Sequence, residues 1–135
     1  MTSDELTDML HAMMPLTATL GLRAVSSSPG QVVVELDWSE ALCTSGGVLH
    51  GGTLMAVADS VGAACAVGNL PAGATGTATI ESKTNFLGAV TDGTVRAVAT
   101  PLHVGGRTIV VETELRVGER LVAKTTQTQA VFRPT

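Results

Sequence analysis

The sequence predicts an α+β fold in which an antiparallel sheet of about six strands curls around one long helix. Three observations carry this. Residues 53–67 are apolar on almost every face and hold a single charge, the mark of a helix that other structure must cover. Four strand-like runs separated by glycine-containing turns follow it. Hydrophobic content is 44%, yet Trp38, Phe86 and Phe132 are the only aromatic residues, so the core between helix and sheet must be built from Val, Ala, Leu and Met. With 135 residues, the chain is read as one domain over 1–135, with 1–20 as an N-terminal helical segment.

Taken in order, Ser3-Asp4-Glu5 followed by Leu6, Met9, Leu10, Met13 and Met14 has the cap and the spacing of a short amphipathic helix ending at Pro15. A second turn runs over 15–20, before Gly21. Residues 22–25 and 31–38, separated by Ser26-Ser27-Ser28-Pro29-Gly30, read as two strands, with Val32, Val34 and Leu36 on one face. Segment 41–50 contains Gly46 and Gly47, lacks periodicity and reads as a loop that delivers the chain to a helix at Gly51 or Gly52. Beyond the helix, 76–87, 94–103, 108–117 and 121–132 read as four successive hairpin-linked strands, broken at Thr91-Asp92-Gly93, Gly105-Gly106 and Val117-Gly118-Glu119. In the third of these, Ile109, Val111, Thr113, Leu115 and Val117 alternate with Val110, Glu112, Glu114 and Arg116, which gives one covered face and one wet face.

Eight basic against twelve acidic residues give a net charge of −4, and with so few aromatic platforms a nucleic-acid partner is not expected. Cys43 and Cys65 are expected as reduced thiols. The start, Met1-Thr2-Ser3-Asp4-Glu5, is acidic and unlike a signal sequence. The apolar stretch falls short of the ~18–20 residues of a membrane span and contains Asp59, so no membrane association and a cytoplasmic location are expected. His11, His50 and His103 show no close pairing, so no metal site is expected, and His11 and His103 are assigned structural roles. Cys65, on the apolar helix, is read as core, and Cys43 as a loop residue with a weak claim to line a site. Gly46 to Gly51 have the spacing of a phosphate-binding loop, but Gly52 stands where its lysine belongs.

Asp59 is the most informative residue, because a lone carboxylate within an apolar helix is costly to bury unless it is paired or used. The second feature is His50-Gly51-Gly52 at the helix start, where free N–H groups and the positive end of the helix dipole can hold an anion or an oxyanion. Glycines there let a ligand approach the backbone, although a plain tight turn would use them too. Nine residues separate His50 from Asp59, about 13.5 Å of rise and a half-turn offset on a helix, so the two cannot act on one atom from one chain. If both act, the site is shared between two subunits.

The order of elements, the stretch Gly47-Val48-Leu49-His50-Gly51-Gly52, the acid nine residues later in Ala58-Asp59-Ser60, and Gly106-Arg107-Thr108 in the third turn together resemble the hotdog-fold thioesterases of the PaaI-like (phenylacetate-degradation) group, within the 4-hydroxybenzoyl-CoA thioesterase superfamily. The resemblance extends from about Leu16 to Phe132. It implies cytosolic hydrolysis of acyl- or aryl-coenzyme A thioesters by homodimers, often paired into homotetramers, without metal or redox cofactor, coenzyme A being part of the substrate. Asp59 would be the nucleophile or general base, the Gly51 N–H would polarise the thioester carbonyl, and His50 would orient that loop or bind near the thioester. Thr79 falls where related enzymes use a serine to position water. Thr44 stands where the family often has asparagine; it reaches less far and lacks a carbonyl acceptor, which points to reduced activity or to Ser45 as a substitute. Gly52, Lys83 and Arg107 complete the expected contacts with substrate and coenzyme A, and Gly62, Ala63 and Ala64 are expected to leave room for a broad acyl or aryl group. A non-catalytic acyl-CoA-binding hotdog module is the competing reading; a hydratase would need a different His-acid motif, which the sequence lacks.

Overall fold

The computed structural model describes residues 1–135. Two short helices, α1 (Ser3–Met13) and α2 (Pro15–Leu20), precede β1 (Arg23–Ser28) and β2 (Gln31–Asp37); the long helix α3 (Gly51–Val67) follows, then β3 (Gly76–Phe86), β4 (Thr94–Val104), β5 (Thr108–Val117) and β6 (Arg120–Phe132). The cap of α1 is Thr2, whose hydroxyl accepts from the Glu5 N–H at 3.1 Å, one residue before the expected serine. The Ser3 side chain instead donates to the Ala24 carbonyl, and His11 Nε2 lies 2.7 Å from the Leu22 carbonyl oxygen, so both tie α1 to the start of the sheet. Strand β1 runs further than expected, through Ser26, Ser27 and Ser28, because those serines pair through their backbones with Val33, Val32 and Gln31.

All strand pairs are antiparallel, in the order β1-β2-β4-β5-β6-β3. This corrects the expectation of four successive hairpins: β4, β5 and β6 form a meander, but β3 pairs with β6 and closes the far edge of the sheet. The turn at Thr91-Asp92-Gly93 belongs to a crossover that carries the chain from that edge to β4, beside β2. Alternation defines which face of a strand is covered but does not name its neighbour, and a glycine turn serves a hairpin and a crossover equally well.

The inner face of the sheet packs on α3. Val57, Val61 and Cys65 of the helix meet Ala97 and Ala99 of β4 and Ile109, Val111 and Leu115 of β5 in one core, all at 0% exposure. Alanines on β4 let the helix backbone approach the sheet, a role a ring would obstruct. The opposite stripe of α3 stays open: Gly52, Met55, Asp59 and Val67 are exposed and Ala63 half-buried, spaced three and four residues apart. No helix is long and apolar enough to cross a membrane.

The β3–β6 pairing predicts a specific cross-link. Thr84 and Thr125 are partners in register with their hydroxyl oxygens 2.7 Å apart, so the pair Thr84→Cys and Thr125→Cys is expected to form a disulfide on mild oxidation. A peptide map showing residues 84 and 125 joined verifies the topology; a chain in which β3 forms a hairpin with β4 would not give it.

Candidate active site

The start of α3 is fixed by the loop before it. The Trp38 indole N–H donates to the Gly47 carbonyl at 2.9 Å, the Leu49 N–H to Val90 at 2.9 Å, and the His50 N–H and Thr53 hydroxyl both to the Leu42 carbonyl at 3.0 Å. Gly46 and Gly47 take φ of +80° and +74°, a left-handed conformation that costs other residues energy. The loop thus contains two short 3-10 turns, Glu40–Leu42 and Ser45–Gly47, rather than being irregular throughout.

His50 then caps the helix and decides which amide is left over. Of the four N–H groups a helix start leaves without a regular helical partner, His50 donates to the Leu42 carbonyl at 3.0 Å, Gly52 to His50 Nδ1 at 2.8 Å and Thr53 to the His50 carbonyl at 2.9 Å. Gly51 alone keeps its N–H free. It borders a cavity of about 410 Å³ lined by Thr44, Val48, Leu54, Phe86 and Val90. The Phe86 ring lies against it, so close that a Cβ at position 51 would sit 3.2 Å from Cζ. The ring takes up the space a side chain at this point would need, which only a glycine leaves open.

Asp59 lies just over two turns along the helix. The Thr79 hydroxyl donates to Oδ1 at 2.7 Å, and Gln127 Nε2 donates to the same oxygen at 3.0 Å. Behind them, Gln129 Nε2 donates to Thr79 Oγ1 at 2.7 Å. Oδ2 is free. A bulge between Thr79 and Glu81 shifts the register against β6, as bulges beside functional groups commonly do. Contrary to the expectation of burial, Asp59 is exposed, because the sheet covers only one side of α3.

The structure therefore joins Thr79 to Asp59 and Thr44 to Gly51, and keeps the two pairs apart on one chain. The Gly52 amide is spent on His50. Ser45 is exposed outside the cavity lining, Arg107 is exposed in the β4–β5 turn, and Lys83 points to the face of β3 opposite Thr84; neither cation stands beside Asp59 or the Gly51 cavity. Gly62 does not widen an acyl site: a Cβ there would fall 1.8 Å from Gln127 Oε1, so the missing side chain makes room for the glutamine. Cys43 bridges to Leu49 and donates to the Ser39 carbonyl, and burial pushes the Cys65 thiol up, which leaves that sulfur inert. A second cavity, about 230 Å³ and apolar, lies beneath α1 and shares no lining residue with the Gly51 cavity.

Gln127, Gln129 and Phe86 were not singled out by sequence reasoning. Signals for the glutamines existed: with Ala123, Thr125 and Val131 they occupy the phase of β6 that faces the helix, where apolar residues belong.

The capping role of His50 predicts a stability effect. His50→Ala is expected to destabilise the protein by about 0.5–2 kcal/mol in urea unfolding, while His50→Asn, whose side chain also caps, retains most of that stability.

The family model described as the thioesterase superfamily matches residues 46–124, which span the end of the loop, α3, β3 to β5 and the start of β6. The Bacillus subtilis protein named "Putative esterase ComA2" is 29% identical over 127 residues, covering 93% of this chain and 98% of its own. A conserved Pseudomonas aeruginosa protein of known structure is 38% identical with a TM-score of 0.82, covering 87% of this chain and 93% of that one. A phenylacetic acid degradation-related protein from Ralstonia eutropha JMP134 is 26% identical with a TM-score of 0.81, covering 91% and 96%. On the family match and this shared architecture, the chain belongs to the thioesterase superfamily, is similar to its PaaI-related members, and is a hotdog-fold thioester hydrolase.

Proposed function

We propose that the protein hydrolyses acyl- or aryl-coenzyme A thioesters to free acid and coenzyme A, at a site shared between two copies of the chain. Asp59 of one copy is the nucleophile or general base, and the Gly51 N–H of the other polarises the thioester carbonyl. The observation that carries this reading is the separation of two prepared groups on one helix. Gly51 offers a free amide at the positive end of α3, and Asp59 offers a free carboxylate oxygen on its open stripe.

A second copy is the natural cover for that stripe. Met55 is 41% exposed beside Asp59, Ile80 on β3 is 63% exposed, and β3 itself is an unpaired sheet edge. Pairing β3 with its symmetry mate buries the edge and turns the two α3 stripes toward each other. A homotetramer would pair two such dimers.

The reaction needs little else. With Asp59 as base, it takes a proton from water as the water oxygen bonds to the carbonyl carbon. The oxyanion formed there accepts from Gly51. Collapse breaks the C–S bond, and the sulfur of coenzyme A leaves as thiolate and takes up the proton. A thioester is an activated acyl group with a good leaving group, so the proposed mechanism uses no metal or redox cofactor. Thr44 faces the same cavity as Gly51 and is assigned to the thioester or the water, with one hydroxyl in place of an amide.

Asp59→Asn is expected to lower turnover of acyl-coenzyme A thioesters by about 10²–10⁴-fold, followed by release of free thiol, while the oligomer stays intact in gel filtration. Gly51→Pro removes the N–H and adds a ring that presses on Phe86, on a backbone suited to it, since proline is favoured at the first helical position and His50 already has the extended conformation (φ −61°, ψ 136°) that precedes proline. It is expected to be comparably inactive. Unfolding and refolding the two inactive variants together is expected to restore about a quarter of wild-type activity, since half the dimers are mixed and each of those holds one intact site. No recovery would mean that Asp59 and Gly51 do not share a site across subunits.

A further inference from the structure

We propose that Gln127 and Gln129 are positioning residues that lock the Asp59 carboxylate in one orientation and one donor pattern, holding Oδ1 and leaving Oδ2 as the reacting oxygen; this rests on Asp59 acting as base or nucleophile in thioester hydrolysis.

The argument is one of donors and acceptors. An ionised carboxylate only accepts, so Gln127 must turn its amide nitrogen toward Asp59, as it does at 3.0 Å. Thr79 has one hydroxyl proton, and it goes to the same oxygen at 2.7 Å. The Thr79 oxygen can then only accept, and it accepts from Gln129 Nε2 at 2.7 Å. The hydrogen bonds thus converge on the acid: Gln129 donates to Thr79, and Thr79 and Gln127 both donate to Oδ1.

The fold accepts a cost to build this. Gln127 is 0% and Gln129 1% exposed, and the Oε1 atoms of both are buried without a partner, so each amide has left water half-satisfied. Gly62 lies on the helix face turned toward β6, and its lack of a side chain is what admits the Gln127 amide. A methionine of nearly the same size would fill either position without an unpaired oxygen. A core selected for stability alone would not hold these groups, and the one exposed functional group they reach is Asp59.

The test uses the intact protein and Gln127→Met, Gln129→Met and Gly62→Ala, each also in an Asp59→Asn background. Loss of a hydrogen bond to a charged acceptor is expected to lower kcat about ten- to a hundredfold in Gln127→Met and Gly62→Ala, with a smaller loss in Gln129→Met, which acts one bond further away. KM is expected to stay within about twofold, because the substrate touches neither glutamine. Thermal stability of Gln127→Met is expected to equal or exceed that of the wild type, and in the Asp59→Asn background the same replacement is expected to change nothing further. Unchanged kcat, or an equal loss with and without the Asp59 carboxylate, overturns the proposal, as does a fall in kcat that merely follows a fall in melting temperature. Should the wild type cleave no thioester, the proposed function falls, and side-chain amide exchange by NMR decides the positioning alone. Gln127 Nε2 protons that exchange more slowly than those of exposed Gln31, and faster once Asp59→Ala is made, support it; insensitivity to Asp59→Ala overturns it.

Discussion

A helix apolar on every side cannot be covered from one side, and the rest of this structure depends on that mismatch. Leu54, Val57, Ala58, Val61 and Cys65 are buried against the sheet, each large apolar side chain contributing on the order of 1.5–3 kcal/mol. The stripe through Gly52, Met55, Asp59 and Ala63 stays largely open, beside the sheet edge to which Asp59 bonds through Thr79 and Gln127. Strand β3, which bounds the open side, is itself an unpaired edge. A helix left half-open beside a free strand edge is an incomplete core, and a second copy of the chain, as proposed, completes it while bringing each Asp59 toward the helix start of its neighbour.

The helix also divides the chemistry. Its N-terminus carries partial positive charge, and the capping by His50 leaves exactly one amide, that of Gly51, to express it. Its middle carries the acid. Neither half is complete: a free amide polarises a carbonyl but removes no proton, and a carboxylate removes a proton but stabilises no oxyanion. Placing them on one rigid element fixes each to the same scaffold, and in the proposed dimer a twofold axis makes two sites from one interface.

Much of this was legible in the residues. The apolar run 53–67 announced α3, the alternation in β5 announced its covered face, and the nine-residue gap from His50 to Asp59 showed that one chain cannot join them. Thr79 was found through the family pattern and does meet Asp59. What escaped was non-local. The neighbour of β3 is chosen by a crossover whose turn looks like any other, and the support of Asp59 comes from a strand 68 residues away, where Gln127 approaches only because Gly62 is bare. Gly62 reads from sequence as space for a ligand, and only the packing shows that the space is already filled. Lys83 illustrates the same limit from the other side, since strand phase places it on the face away from the acid.

The inner faces of β5 and β6 sharpen the point about cost. Thr113, Thr125, Gln127 and Gln129 are all fully or almost fully buried beneath α3, where Val111 and Leu115 show that aliphatic side chains fit. Two of these polar residues are linked to Asp59, Gln127 directly and Gln129 through Thr79; Thr125 meets Thr84, and the Thr113 hydroxyl has no partner. Buried polar groups in a small core lower stability unless every member of the network is satisfied, and this network is not. Within it the unsatisfied oxygens are the far ends of two amides, Gln127, whose nitrogen points to the acid, and Gln129, whose nitrogen points to the Thr79 hydroxyl that holds the acid. That asymmetry has a direction: hydrogen bonding is complete toward Asp59 and incomplete away from it. A core arranged only to hold the sheet on the helix has no reason to prefer one direction, whereas a core arranged to hold a carboxylate still does.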